Sequence, residues 1–405
     1  MQDRAPGNAP ALPPRTRLDS LTGLRYFGAL AVFVTHFVGS GASGYGRIPL
    51  IYPQSTYGTH GVTFFFVLSG FVLTWMWKPG GSVATFYWRR VARIMPLHLA
   101  TSIVALWVFY EPVSRQVFEW GPYLLSLVLL QAWVPHLTPM FPGNTVSWTL
   151  SCEAFFYLCY PVLIAVLARR SRRQLLVATI AIVLAAFAWR TYAGLNLTDY
   201  MQSWSLRTPV FRIWEFTLGI ILALAVRRGL VVRGGVALVA VVLAAWILVY
   251  FNVRPLLPGG VADLIVYLDQ VVGPLLFAWL IGAAARNDVR GRVSWLASKP
   301  MVLLGAWSFA FYLVHYFPLR LSTMAFGPRK ASDANIFDLL GMALVATALA
   351  AVFYYAIERP AERRLRNLFN RRGSGDADGR TERGTEDRSE SQVERAAEEA
   401  EHQLR

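Results

Sequence analysis

LDSLTGLRYFGALAVFVTHF, residues 18–37, is a membrane-like segment in which two residues stand apart. From Leu24 to Phe37 the run is almost wholly apolar, interrupted by Arg25 and His36. Eleven residues of α-helix rise about 16.5 Å and rotate about 1100°, three turns plus roughly 20°. Arg25 and His36 are therefore expected on one face, at different depths. A charge within a bilayer costs about 2.5 kcal/mol or more and usually turns inward, where it marks a site. The simpler alternative is that both side chains sit near helix ends and snorkel to the two interfaces.

The rest of the chain fits a membrane protein. Its 405 residues are 55% hydrophobic and include 14 Trp, and the mean hydropathy is +0.41. These values point to an all-α fold, a polytopic bundle of about ten transmembrane helices in a lipid bilayer. The net charge of +15 does not indicate nucleic acid, because the basic residues cluster between long apolar runs, the pattern of membrane topology. Cys152 and Cys159 lie seven apart in one apparent helix, about 10 Å along its axis, too far for a mutual disulfide. Neither has metal-ligand company, and no metal or resident cofactor is expected. Residues 1–17 are rich in Pro and Arg, lack an apolar core and do not read as a cleavable signal peptide.

Apolar runs long enough to cross a membrane occur at about 22–38, 61–77, 97–110, 148–168, 174–190, 209–226, 235–251, 265–285, 302–322 and 337–357. A shorter run at 120–134 has Gly121 and Pro122 at its start and Pro135 just after it. Arg-rich clusters precede the first helix and follow the second, fourth, sixth, eighth and last runs. All fall on one side if the ten long runs span and 120–134 is re-entrant or peripheral. The positive-inside rule then puts both termini in the cytoplasm of a plasma-membrane protein. The tail, 367–405, is charged and poor in apolar residues, most clearly from Gly373 onward. It is expected to be mostly disordered, with a short helix conceivable at 391–404.

Several stretches carry chemistry. In "GVTFFFVLSGFVLTW", Ser69 and Gly70 fall near mid-membrane, suited either to close helix packing or to a polar tunnel lining. "FYWRRVARIMP" sets Arg89, Arg90 and Arg93 at the cytoplasmic surface, as a topology signal or a phosphate clamp. "WTLSCEAFFYLCYP" places Glu153 about one and a half turns inside the outer face, near the depth of His36. That match suggests proton chemistry; an ion pair with a neighbouring Arg is the alternative. Arg212 and Glu215, three apart, are expected to neutralise each other. Ser308, Tyr312 and His315 share a helix face, as an interhelical hydrogen-bond network or a catalytic one. His60, His98 and His136 are expected in loops or at helix ends. No GxSxG elbow or phosphate-binding Walker loop occurs.

Taken together these stretches resemble the acyltransferase family 3 membrane proteins. Arg25 and His36 match that family's Arg-x10-His pattern. "GVTFFFVLSGF", "RRVARIMP", "WTLSCEAFFY", "WSFAFYLVHYFP" and the terminal "IERP" match later motifs in order. The likeness covers residues 18–366. Where many members carry a second Glu, this chain has Ala154. Many polysaccharide-modifying members add a hydrolase-like domain. Here only the charged tail follows, and the chain looks most like actinobacterial enzymes that O-acylate macrolide or ansamycin antibiotics.

The resemblance implies transfer of a short acyl group from acyl-CoA, a co-substrate, to a hydroxyl of a small molecule or glycan. In that scheme His36 is the general base and Glu153 orients it or shares its proton. Arg25, Arg89, Arg90 and Arg93 bind the donor, and Ser69, Tyr312 and His315 line the tunnel. An O-acetyltransferase of a cell-surface polysaccharide and a natural-product exporter are the rival readings.

Overall fold

The computed structural model describes residues 17–38, 46–110, 118–137 and 142–375, with side chains to Leu368. Among the described residues every regular element is helical. The α-helices are α1 (Asp19–Val38), α2 (Gly61–Met76), α3 (Val83–Phe109), α4 (Trp120–Leu127), α5 (Trp148–Leu167), α6 (Arg172–Asn196) and α7 (Asp199–Ser205). They continue with α8 (Pro209–Arg227), α9 (Val236–Leu248), α10 (Gly259–Val289), α11 (Lys299–Val314), α12 (Tyr316–Phe326), α13 (Asn335–Phe353) and α14 (Arg359–Gly375).

Among the described residues nine helical segments are long and apolar enough to cross a membrane. The pair α11 and α12, bent by 48°, makes a tenth. The chain is a multi-pass membrane protein. Without water in the bilayer core, every backbone group must be satisfied within the chain, which favours continuous helices. The 120–134 stretch contributes the eight residues of α4 and then short 3-10 turns. Eight residues rise only about 12 Å, far short of a hydrocarbon core about 30 Å thick.

The third crossing is longer than its apolar run. The helix begins at Val83, where the Ser82 hydroxyl accepts from Thr85 N, and continues through Pro96 for 27 residues. A run counted by hydropathy stops at the arginines, whereas the backbone carries the helix past them. His98 consequently lies well inside α3, fully buried, with Nε2 3.0 Å from the Ser126 carbonyl. It is neither in a loop nor at a helix end. The last helix, α14, extends past residue 366 to Gly375. The expected 391–404 helix lies outside the described residues, as do residues 1–16.

The basic segments meet at one end of the bundle. Arg227, closing α8, donates to the carbonyls of Thr74 and Trp77 at the end of α2, at 2.7 and 3.2 Å. Arg228 donates to Ala168 O beyond α5 at 2.6 Å. Arg286 in α10 donates to Val232 O at 3.0 Å. The Asp288 carboxylate in α10 caps α1, its Oδ2 accepting from Ser20 N at 3.0 Å. Trp88 in α3 donates to Leu365 O in α14 at 2.8 Å.

Helices α2 and α8 approach closely through two glycines. A Cβ on Gly70 would lie 2.0 Å from Phe216 O, and one on Gly219 would lie 2.0 Å from Val67 O. Neither position accepts a side chain unless the backbones part. This is small-residue packing of the kind that joins membrane helices. It holds the neighbouring Ser69 against α5.

Candidate active site

Helices α1, α2, α3, α5 and α11 enclose a cavity of about 170 Å³. Its polar lining includes Arg25, Ser69, Arg90, Arg93, Glu153 and Tyr312, with Tyr157 and Ser308. Phe65, Phe66, Leu73 and Phe309 supply apolar wall. Arg90 and Arg93 reach it together because residues three apart share a helix face. Arg89 lies one position off that face and is not among the lining residues. Glu153 and Tyr157, four apart on α5, share a face in the same way.

The three cavity arginines are held differently. Arg93 Nη1 is 2.7 Å from Glu358 Oε1 and 2.8 Å from Glu362 Oε2. Arg90 lies over the rings of Phe86 and Tyr157, and its buried Nε has no hydrogen-bond partner among the described residues. Arg25 likewise has no hydrogen-bond or ion-pair partner among the described residues. The Glu153 carboxylate accepts from Tyr157 OH at 3.0 Å. It lies within electrostatic reach of Arg25, Arg90 and Arg93. Ser69 Oγ is 3.2 Å from Tyr157 OH, so the hydroxyl is bound to a side chain at the cavity wall.

His36 and His315 do not line this cavity; they meet each other beyond it. His36 Nδ1 lies 2.9 Å from His315 Nε2. His315 stands one turn past Tyr312, which marks the edge of the cavity and is 3.1 Å from Thr149 Oγ1. Sequence reasoning set Glu153 near the depth of His36; its carboxylate hydrogen-bonds Tyr157 instead. Helical rise gives approximate depth, whereas rotation of each helix about its axis sends Glu153 toward the arginines. Arg212 and Glu215 pair at 3.1 Å as their spacing implied. Both cysteines are free thiols.

Three functional candidates escaped the sequence reading: Tyr157, Glu358 and Glu362. Tyr157 was detectable as the i+4 neighbour of Glu153. Glu358 lies in the quoted "IERP", but its partner Arg93 is in a helix distant in sequence.

The family model described as an acyltransferase domain, acyltransferase family 3, matches residues 18–356. The chain belongs to this family. It is 35% identical over 382 residues to the acyltransferase MdmB of Streptomyces mycarofaciens, covering 87% of this chain and 94% of that protein. It is 28% identical over 319 residues to the exopolysaccharide production protein ExoZ of Rhizobium meliloti, covering 77% and 92%. With the peptidoglycan O-acetyltransferase OatA of Listeria monocytogenes it shares 23% over 380 residues, covering 85% of this chain and 56% of that protein. No solved structure matches. The protein is thus a membrane acyltransferase, and the cavity with its adjoining histidine pair is its candidate active site.

Proposed function

We propose that the protein transfers a short acyl group from acyl-CoA to a hydroxyl of a small natural product such as a macrolide or ansamycin. The observation that carries this reading is the pair Arg25 and Arg90, two guanidiniums facing one cavity without ion-pair partners. Buried charges are normally paired, and the forked donors of Arg suit phosphate and carboxylate oxygens. An anionic donor supplies the missing partner. Arg93, already held by Glu358 and Glu362, ties α3 to the last crossing beside it.

In this scheme the acceptor hydroxyl gives its proton to His36 as its oxygen attacks the thioester carbonyl. The tetrahedral intermediate collapses with loss of coenzyme A, whose sulfur takes the proton from the imidazolium. No covalent enzyme intermediate is required. Glu153, bound by Tyr157, balances the arginine charge when no donor is present. The basic end of the bundle faces the cytoplasm of a plasma membrane, where acyl-CoA is available. The acceptor class rests on the likeness of the first-helix stretch noted above.

Membranes containing the protein should release free coenzyme A from acetyl- or propionyl-CoA only when a hydroxylated macrolide or ansamycin is added. An exporter would leave the thioester intact. A mass comparison of metabolites from a deletion strain and its parent would name both acyl group and acceptor.

A further inference from the structure

We propose that His315 fixes which nitrogen of His36 carries the proton, making His315 a positioning residue for the base. The inference rests on the reading of His36 as general base. His315 is fully buried at the bend between α11 and α12. Its Nδ1 lies 2.8 Å from Tyr312 O and 3.3 Å from Phe311 O, both main-chain carbonyls of its own helix. A carbonyl oxygen only accepts, so His315 Nδ1 carries the hydrogen. In a neutral imidazole the other nitrogen then holds the lone pair. That nitrogen, Nε2, faces His36 Nδ1 at 2.9 Å.

The ring geometry agrees. The two imidazole planes are inclined by only 19°, and their centroids are 5.1 Å apart. With the nitrogens at 2.9 Å, the rings lie end to end and nearly coplanar, as in an N–H···N hydrogen bond, rather than face to face. Phe33 and Phe311 flank the His315 ring and hold its orientation. Among the described residues no carboxylate hydrogen-bonds His315 to hold a second proton; its hydrogen-bond partners there are His36 and the two carbonyls.

The proton positions follow in order. His315 Nε2 accepts, so His36 Nδ1 donates, and the lone pair of His36 falls on Nε2. Neutral imidazole intrinsically favours the opposite tautomer, with hydrogen on Nε2. The bond to His315 opposes that preference and so favours a base, rather than a donor, at His36 Nε2. During transfer the acceptor proton moves to His36 Nε2 and leaves from the same atom to the coenzyme A sulfur. The Nδ1 proton stays in place, its bond to His315 strengthened while the imidazolium exists. The buried Asp of a Ser-His-Asp triad orients its His in this way, and the wrong tautomer there costs about 10⁴ in turnover.

The test uses the full chain in detergent micelles, labelled with 15N-histidine. The chain has six histidines, and the His36 signals are assigned by their loss in His36→Gln. In the wild type His36 should be the Nδ1–H tautomer. In His315→Leu it should switch to Nε2–H, and turnover of propionyl-CoA with hydroxylated macrolides should fall by about 10² to 10⁴ at unchanged KM for the donor. In His315→Gln the side-chain oxygen still accepts, so the tautomer should persist and turnover should stay far closer to the wild type than in His315→Leu. An Nε2–H tautomer for wild-type His36, or one unmoved by His315→Leu, would overturn the inference. If instead His36→Gln keeps near-normal turnover, it is the general-base reading that fails.

Discussion

Arg93 Nη1 lies 2.7 Å from Glu358 Oε1 and so ties α3 to the last crossing. The Glu358 side chain is 1% exposed. The same guanidinium reaches Glu362, which also pairs with Arg366 at 3.2 Å. Removing one partner of a buried ion pair is far costlier than replacing both, because the other charge stays behind. Arg93→Ala should therefore destabilise the protein by about 3 kcal/mol or more. Thermal unfolding in detergent would check this, with the double variant Arg93→Met, Glu358→Leu recovering much of the loss.

Arg90 and Arg25 should behave differently, since neither has an ion-pair partner to strand. Arg90→Ala should leave melting nearly unchanged and raise the KM for acyl-CoA more than that for the acceptor. Steady-state kinetics with each substrate varied in turn would decide. A change confined to acceptor kinetics would contradict the donor role.

For His36, substitution by Ala should remove about 10² to 10⁴ of the turnover while the protein still inserts and binds acyl-CoA. His36→Gln should fare little better, because an amide hydrogen-bonds but takes no proton. Donor binding by the inactive variants, followed by quenching of intrinsic Trp fluorescence, separates catalysis from folding.

His60 is expected to matter for stability. Its Nε2 is 2.8 Å from Asp269 Oδ2, and Asp269 is fully buried. Tyr57 and Trp246 each donate to Asp269 Oδ1 at 2.8 Å. Asp269→Ala strands three partners and should cost about 3 kcal/mol. His60→Ala should cost less, since two donors to the carboxylate remain. Melting temperatures in that order would bear this out.

Topology is tested at Ser171, which caps α6 by accepting from Gln174 N. A Ser171→Cys variant in intact cells should resist a membrane-impermeant thiol reagent and react after the membrane is opened. Ready labelling in intact cells would reverse the assigned orientation.

The sequence by itself determined the all-α class, ten crossings and a non-spanning 120–134 stretch, because hydrophobic length and backbone satisfaction in lipid are local properties. It also determined the Arg212–Glu215 pair and the separation of the two cysteines, since both follow from helical spacing within one helix. Only the tertiary structure decided partners across helices. His36 meets a residue 279 positions away, and Arg93 meets Glu362 from 269 positions away. The rise of a helix makes depth readable from residue number, which is why Arg25 and His36 stood out at once. Its rotation against its neighbours depends on contacts such as those at Gly70 and Gly219. That rotation placed Glu153 with the arginines and gave His36 its second imidazole.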